Sequence, residues 1–256
     1  MGIDRTKRQR RKALKAMAKR VLTVLFISVL IVASTYVYNY LTTAESFAIH
    51  EIEFKGMSRA DASEIEEMLT DLIGQNILLV PLDKYAERIK MHPRVEHVSM
   101  SRVLPDRVTC VVDEREPVAL IFTDRFLEVD RHGMVMDDDE FSAILDLPII
   151  TGLSKRDVEI GKINTDPNLR NALYALGLCK QFGGEFAEDI SELKLSEKGV
   201  SIRSLKKDCV LLLGDTDYEN RLKKYFLLKD TLAEKEPTAR LIDLRFDDQV
   251  VLRGRI

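Results

Sequence analysis

His97-Val-Ser-Met-Ser-Arg-Val-Leu-Pro-Asp-Arg-Val-Thr-Cys-Val-Val-Asp113 holds two runs of alternating side chains on either side of Leu104-Pro-Asp106. Alternation has the period of a strand, and a Pro-Asp pair between two such runs supplies turn chemistry, so the stretch predicts an antiparallel hairpin. Upstream, Phe47–Phe54 alternates in the same way and ends at Lys55-Gly56, which predicts a first strand. Between strand and hairpin, apolar residues at Ile65, Met68, Leu69, Leu72 and Ile73 follow the i, i+3, i+4, i+7, i+8 stripe of an amphipathic helix. Ser63-Glu-Ile-Glu66 has the spacing of a capping box at its start. Gly74-Gln-Asn76 breaks that helix, and after the apolar connector Ile77-Leu-Leu-Val80 a shorter stripe runs through Leu82, Tyr85, Ala86 and Ile89 until His92-Pro93 stops it. Strand, helix, helix, strand, strand within about 70 residues describes a small α+β domain with both helices on one sheet face.

Beyond a junction at Glu116-Pro117 the pattern changes to short strands and turns: Val118–Phe122, Phe126–Val129, Gly133–Met136 and Pro148–Ile150. A helix follows from about Asn168, with Leu169, Leu173 and Leu176 on one face behind Asp166-Pro167. Strands are predicted again at Ile190–Leu195, Gly199–Ser204 and Cys209–Leu213. Thr216-Asp-Tyr-Glu219 reads as the cap of a last helix carrying Leu222, Tyr225, Phe226 and Leu232, before the runs Ala239–Phe246 and Gln249–Arg255. The whole is an α+β chain, with residues 46–117 as one domain and 118–256 as a second, β-rich domain of mainly antiparallel strands with two helices.

The 256 residues are 45% hydrophobic and 32% charged, ordinary for folded protein. The net charge of -3 conceals a division: residues 1–20 carry +8, which leaves -11 for the remainder. From Val21 to Ala44 there is no charged residue, a run long enough to cross a ~30 Å hydrocarbon core as a helix. Tyr36, Tyr38 and Tyr40 crowd its far end, where amphipathic rings prefer the headgroup region, and the basic cluster sits at its near end. The positive-inside rule then predicts a cytoplasmic tail over residues 1–20, a transmembrane helix over 21–44, and an inner-membrane anchor for a large extracytoplasmic part. The rival readings are weaker. The apolar run exceeds the ~7–15 residues of a signal-peptide core, and the span that begins directly at Val21 accounts for the charge of the arm without nucleic acid.

Cys110, Cys179 and Cys209 are too few and too widely spaced for a disulfide framework, and read as small buried apolar residues, with one bridge left open. Signatures of nucleotide-binding loops, serine hydrolases and zinc proteases are absent from the sequence, and His50, His92, His97 and His132 show no metal-ligand spacing. Ser191-Glu-Leu-Lys194 and Ser204-Leu-Lys-Lys207 match Ser-x-x-Lys of penicillin-interacting enzymes, but both read as strand or strand end, where residues three apart face opposite ways and are not brought together as on a helix. Asp137-Asp-Asp-Glu140 lacks the alternating spacing of a calcium loop and reads as a solvated acidic turn. No enzyme activity, cofactor or metal is expected. The final run, Gln249–Arg255, reads as a strand at a sheet edge, either a docking edge for a partner strand or an ordinary edge guarded by Arg253 and Arg255.

Taken in order, these pieces resemble the FtsQ/DivIB family of bacterial cell-division proteins. The resemblance is carried by Ile52-Glu-Phe-Lys-Gly56, Pro93-Arg-Val95 leading into Val98-Ser-Met-Ser-Arg-Val-Leu-Pro-Asp106, Val111-Val-Asp-Glu-Arg-Glu-Pro-Val-Ala119, Phe126-Leu-Glu-Val-Asp-Arg-His-Gly133 and Ile242-Asp-Leu-Arg-Phe246. Two departures stand out: the family's Pro-Trp-Val reads Pro93-Arg94-Val95, and its Asp-Leu-Arg-Tyr reads Asp243-Leu-Arg-Phe246. The resemblance implies a basic tail, one span, a POTRA domain and a β domain, acting as a divisome scaffold at the septum that helps control peptidoglycan synthesis. It also implies that coiled-coil partners resembling FtsB and FtsL dock along the last strand, at Asp247, Gln249, Val250, Val251 and Leu252. Arg245 would pair with a partner carboxylate and Phe246 would supply an apolar anchor. A second surface, for other divisome proteins, would centre on Arg102 of the hairpin. A POTRA-bearing component of outer-membrane protein transport is the alternative; it would need a β-barrel or several repeats of the unit.

Overall fold

The computed structural model describes residues 3–58, 62–137 and 146–254. The chain is α+β and divides into two compact units. One takes the chain as far as Lys55, with Ser63–Ala86 and Ser99–Val111; the other takes Gly56–Ala62, Glu87–Val98 and the chain from Val112.

The first unit begins with α1 (Ile3–Thr43), of which Met17–Thr43 is long and apolar enough to cross a membrane, and the most apolar stretch of that span has no residue buried against the rest of the chain. Its 27 residues would rise ~40 Å. The last carbonyls of a helix have no partner within it; here Asn76 Nδ2 donates to those of Leu41 (2.8 Å) and Thr42 (3.1 Å). After α1 come β1 (Glu51–Lys55), α2 (Ala62–Met68), α3 (Leu82–Lys90), β2 (Val95–Val103) and β3 (Arg107–Glu114). The sheet order is β1-β3-β2, with Glu51–Lys55 running parallel to Arg107–Val111. Ile49, Ile65, Leu69, Leu72, Ile77 and Val108 are fully buried in this unit.

Three expectations need correction here. β1 starts at Glu51 and not at Phe47, because the backbone of Phe47 and Ile49 is bonded to the connector instead: Ile49 N donates to Gln75 O and Ile77 N to Phe47 O. The helical stripe breaks at Met68, a 3-10 turn carries Thr70–Leu72, and Ile73 is left 49% exposed and not on the buried face. The capping box does not mark the helix start either, since α2 already includes Ala62.

The second unit is built on nine strands in the order β12-β11-β10-β9-β8-β7-β4-β5-β6. They are β4 (Pro117–Phe122), β5 (Phe126–Asp130), β6 (Val135–Asp137), β7 (Ile149–Thr151), β8 (Ile190–Ser196), β9 (Gly199–Ser204), β10 (Cys209–Gly214), β11 (Leu241–Asp243) and β12 (Val251–Arg253). β10 with β11, β4 with β7 and β7 with β8 run parallel; the remaining pairs are antiparallel. The helices α4 (Pro167–Gly183), α5 (Glu185–Glu188) and α6 (Tyr218–Lys235) complete it. Leu169, Ala172, Leu176 and Cys179 of α4 and Leu222 and Tyr225 of α6 share one core with Leu193, Ile202 and Leu211 of the sheet.

Asp166 caps α4 as its sequence implies, accepting from the N–H groups of Asn168 and Leu169, with Pro167 in the first turn where its missing N–H costs nothing. α6 differs from expectation. It follows Asp217 in the left-handed region (φ 53°), and no side chain caps it, so Thr216 does not do so. Cys110, Cys179 and Cys209 are buried and unbridged, and burial pushes the Cys110 and Cys179 thiols up to about 11 and about 12.

Within the second unit, Phe126–Gly133 owes its pattern of charges to two buried ion pairs. Arg94 Nη1 meets Glu128 Oε2 at 2.8 Å and Arg115 Nη1 meets Asp130 Oδ2 at 2.8 Å, with Glu128 0% and Asp130 2% exposed. Asp130 Oδ1 also accepts from the N–H groups of His132 and Met134, closing the turn that Gly133 (φ +86°) makes. Of the acidic run Asp137–Glu140, Asp137 ends β6 and pairs with Arg125 at 3.0 Å, while Asp138, Asp139 and Glu140 lie outside the described residues.

Candidate interaction surface

β12 is the last strand of the nine. Leu241, Ile242 and Asp243 pair antiparallel with Arg253, Leu252 and Val251, and among the described residues no strand lies on the other flank of β12. Only Val251–Arg253 of the expected Gln249–Arg255 has strand geometry. Gln249 and Val250 belong to the approach, and Arg255 lies outside the described residues. Val250, Val251 and Leu252 are half-buried, with Val250 and Leu252 packed against the core, and Gln249 is exposed.

The turn that delivers the chain to this edge is held from below by α6. Arg221 Nη1 donates to Leu213 O and its Nη2 to Arg245 O (3.3 Å), while Lys224 Nζ donates to the carbonyl oxygens of Phe246 and Asp247. Arg221 and Lys224 are three apart on one helix face, so one face of α6 supplies cations to a run of backbone carbonyls that no strand partner satisfies. Gly214 makes the approach feasible: its φ is +77°, and a Cβ there would lie 2.7 Å from Arg221 Nη1 and 3.2 Å from Arg245 Cγ. With the backbone so held, the Phe246 ring stays on the surface, 44% exposed, and Asp247 is exposed beside it.

Arg245 is already engaged. Its Nε donates to Asp243 Oδ1 (2.8 Å) and its Nη2 to Asp243 Oδ2 (2.6 Å), a forked pair whose carboxylate is 4% exposed. The forked bond from Arg245 holds the Asp243 carboxyl below its ordinary range. The sequence therefore supplies, two residues before Arg245, a carboxylate of the kind expected from a partner.

Arg245, Phe246, Asp247, Gln249, Val250, Val251 and Leu252 thus come together at one end of the large sheet. Arg102 belongs to the other unit, on β2, where Nε and Nη2 donate to the carbonyls of Ile77 and Val80, both at 2.7 Å. It is exposed, but two of its donors staple the connector before α3. Arg221, Lys224 and Asp243 were not anticipated. The spacing of the two α6 cations was visible in the sequence, though their acceptors were not.

The Ser-x-x-Lys segments take the places the strand reading gave them. Ser191 and Lys194 both stand on β8, and Ser191 Oγ donates to Arg203 O. Ser204 closes β9 and gives its hydroxyl to buried Asp189, which also accepts from Lys206 N at 2.7 Å. Among the described residues no group of three or more His, Cys, Asp or Glu is placed to hold a metal.

Comparison with known proteins places these features. Residues 47–115 match the POTRA domain, FtsQ-type, and residues 119–245 match Cell division protein FtsQ/DivIB, C-terminal. Among similar proteins is the Cell division protein FtsQ of Anaeromyxobacter sp. (strain K), 28% identical over 256 residues, covering 98% of this chain and 87% of the relative. The FtsQ of Myxococcus fulvus is 24% identical, covering 91% of this chain and 84% of the relative, and that of Geotalea daltonii is 24% identical, covering 95% and 89%. With a POTRA domain of FtsQ type, the matching C-terminal domain and relatives alike over nearly its whole length, the chain belongs to the FtsQ/DivIB family of cell-division proteins.

Proposed function

We propose that this chain is a non-enzymatic scaffold of the division machinery that gathers coiled-coil membrane partners of the FtsB and FtsL kind by strand addition on β12, and thereby helps control septal peptidoglycan synthesis. The observation that carries the reading is the flank of Val251–Arg253 that no strand among the described residues pairs, beside the exposed ring of Phe246. A free flank offers N–H and C=O groups that a partner strand satisfies, and an exposed aromatic beside it gives that strand an apolar seat. Asp247, Gln249, Val250 and Leu252 would frame the seat. Arg245, held by Asp243 in one geometry, would offer its remaining donors to the partner at little cost in side-chain entropy.

In this reading residues 46–117 and 118–256 work as separate domains, the first meeting other division proteins through the surface around Arg102. The basic tail stays in the cytoplasm and α1 crosses the inner membrane, in keeping with the +8 charge of residues 1–20. The match of residues 119–245 supports division over outer-membrane transport as the setting. A periplasmic-type reporter fused after Ile256 should be active only outside the cytoplasm, and the full chain should co-purify with division proteins from solubilised membranes. A reporter active only in the cytoplasm, or a chain that brings down none of them, would reject the scaffold.

A further inference from the structure

Three lysines that line a cleft with Leu252 of β12 have no ion-pair partner among the described residues. Lys206 and Lys207 lie in the turn between β9 and β10, and Lys229 lies on α6. In the same unit Arg240 is matched with Asp208, Lys223 with Glu219 and Arg203 with Glu192. Three carboxylates line clefts with these lysines: Glu236, which accepts from Thr238 Oγ1 at 2.6 Å, lines one, and Glu185 and Asp189 line the other, Asp189 accepting from Ser204 Oγ and from the Lys206 N–H. On a body whose net charge after residue 20 is -11, a cleft lined by Lys206, Lys207 and Lys229 against the single carboxylate of Glu236 is a local reversal of sign.

The same lysines line two adjoining clefts. One is floored by apolar groups of Tyr225, Leu232, Ile242 and Leu252, and the other runs on past Phe186 and Asp189. Leu252 is a β12 residue paired with Ile242, so the first cleft opens directly off the edge strand.

We propose that this cleft receives an acidic continuation of the segment that docks on β12. The partner chain would leave the free flank, pass Leu252, seat an apolar side chain on Tyr225 and Leu232, and bring Asp or Glu carboxylates to Lys206, Lys207 and Lys229. This rests on the strand-addition reading and adds the chemistry that selects the partner. A plain strand can pair with any edge, whereas an acidic stretch at a fixed offset distinguishes one partner from another.

The test uses the full chain in its own cells, with a benzophenone-bearing amino acid in place of Arg253 on the edge or of Ala233 on the cleft wall, both exposed. Adducts are mapped to the residue by mass spectrometry. Both positions should capture one and the same division protein, the peptide joined at Ala233 should lie next to the one joined at Arg253 and carry at least two acidic residues, and Lys206→Glu with Lys207→Glu and Lys229→Glu should reduce both adducts about tenfold. Lys198→Glu, in the β8–β9 turn, should leave them unchanged, and each variant must melt like the parent. An Arg253 adduct that persists undiminished in the triple variant, or a cleft adduct without acidic residues, would overturn the cleft while leaving the edge reading intact. A cleft adduct with none at Arg253 would overturn edge docking and with it the continuation, and no adduct at either position would overturn both.

Discussion

Arg245 grips the carboxylate of Asp243, two residues before it, with Nε on one oxygen and Nη2 on the other. The pair closes the end of β11 and fixes where the chain leaves the sheet for Phe246. Its charge state follows from the geometry. The bond favours the ionised carboxylate, so the Asp243 pKa is depressed in the fold, and the stability it contributes is present above the ordinary carboxylate value and lost as pH falls through the folded value.

For the first prediction, Arg245→Ala should lower stability at neutral pH by about 1–2 kcal/mol, because a nearly buried carboxylate loses a half-exposed partner. As pH falls below the ordinary carboxylate range and through the lowered folded value, the gap should narrow. Urea unfolding at neutral and acid pH measures both. A gap constant across that range would remove Asp243 as the cause.

Gly214 tests how the turn is built. Alanine there must hold φ +77° and place its Cβ against Arg221 and Arg245. Gly214→Ala should therefore cost about 1–3 kcal/mol in equilibrium unfolding. Gly177→Ala, on α4 where a Cβ meets nothing within 4 Å, should cost nothing and is predicted to stabilise slightly. Equal effects of the two would contradict the account of the turn.

Arg94 pairs with a carboxylate, Glu128, that is 0% exposed. Its guanidinium bonds Glu128 and the carbonyl of Asp137, so truncation strands charge in a dry place. Arg94→Met alone should lose roughly 3 kcal/mol, and adding Glu128→Gln should recover a good part of it. Additive losses in the double variant would mean the two side chains do not act as a pair.

How much of this was legible in the sequence depends on the range of the interaction responsible. The α4 stripe behind Asp166-Pro167 and strands β8 to β10 follow from local periodicity, and the structure has them within a residue or two; the apolar span follows too, ending at Thr43 beside the expected Ala44 but beginning at Met17, four residues before Val21. Phe47–Ile49 was misread because its alternation suits a strand, yet its hydrogen bonds go to Gln75–Ile77, a pairing no local pattern announces. Ile73 was misread because a 3-10 turn changes the angular step after Met68. The edge itself was legible from the final alternating run. The fork on Asp243 and the cations of α6 under Arg245–Asp247 were not, since they depend on which helix face meets which loop after the sheet has formed.

The central claim is that a partner strand pairs with β12, and proline at successive positions tests it most directly. Successive N–H groups on a strand point to opposite flanks, so of Val251→Pro and Leu252→Pro one removes an outward donor and the other a bond to β11. With binding to the extracytoplasmic part of the captured division partner measured by titration calorimetry, one of the two should melt like the parent yet bind at least about 100-fold more weakly, while Val251→Thr and Leu252→Thr stay within about threefold. Phe246→Ala, which leaves the backbone intact, should cost about 2 kcal/mol of binding. Parent-like affinity in whichever proline variant keeps the parent's melting temperature would contradict strand addition at this edge.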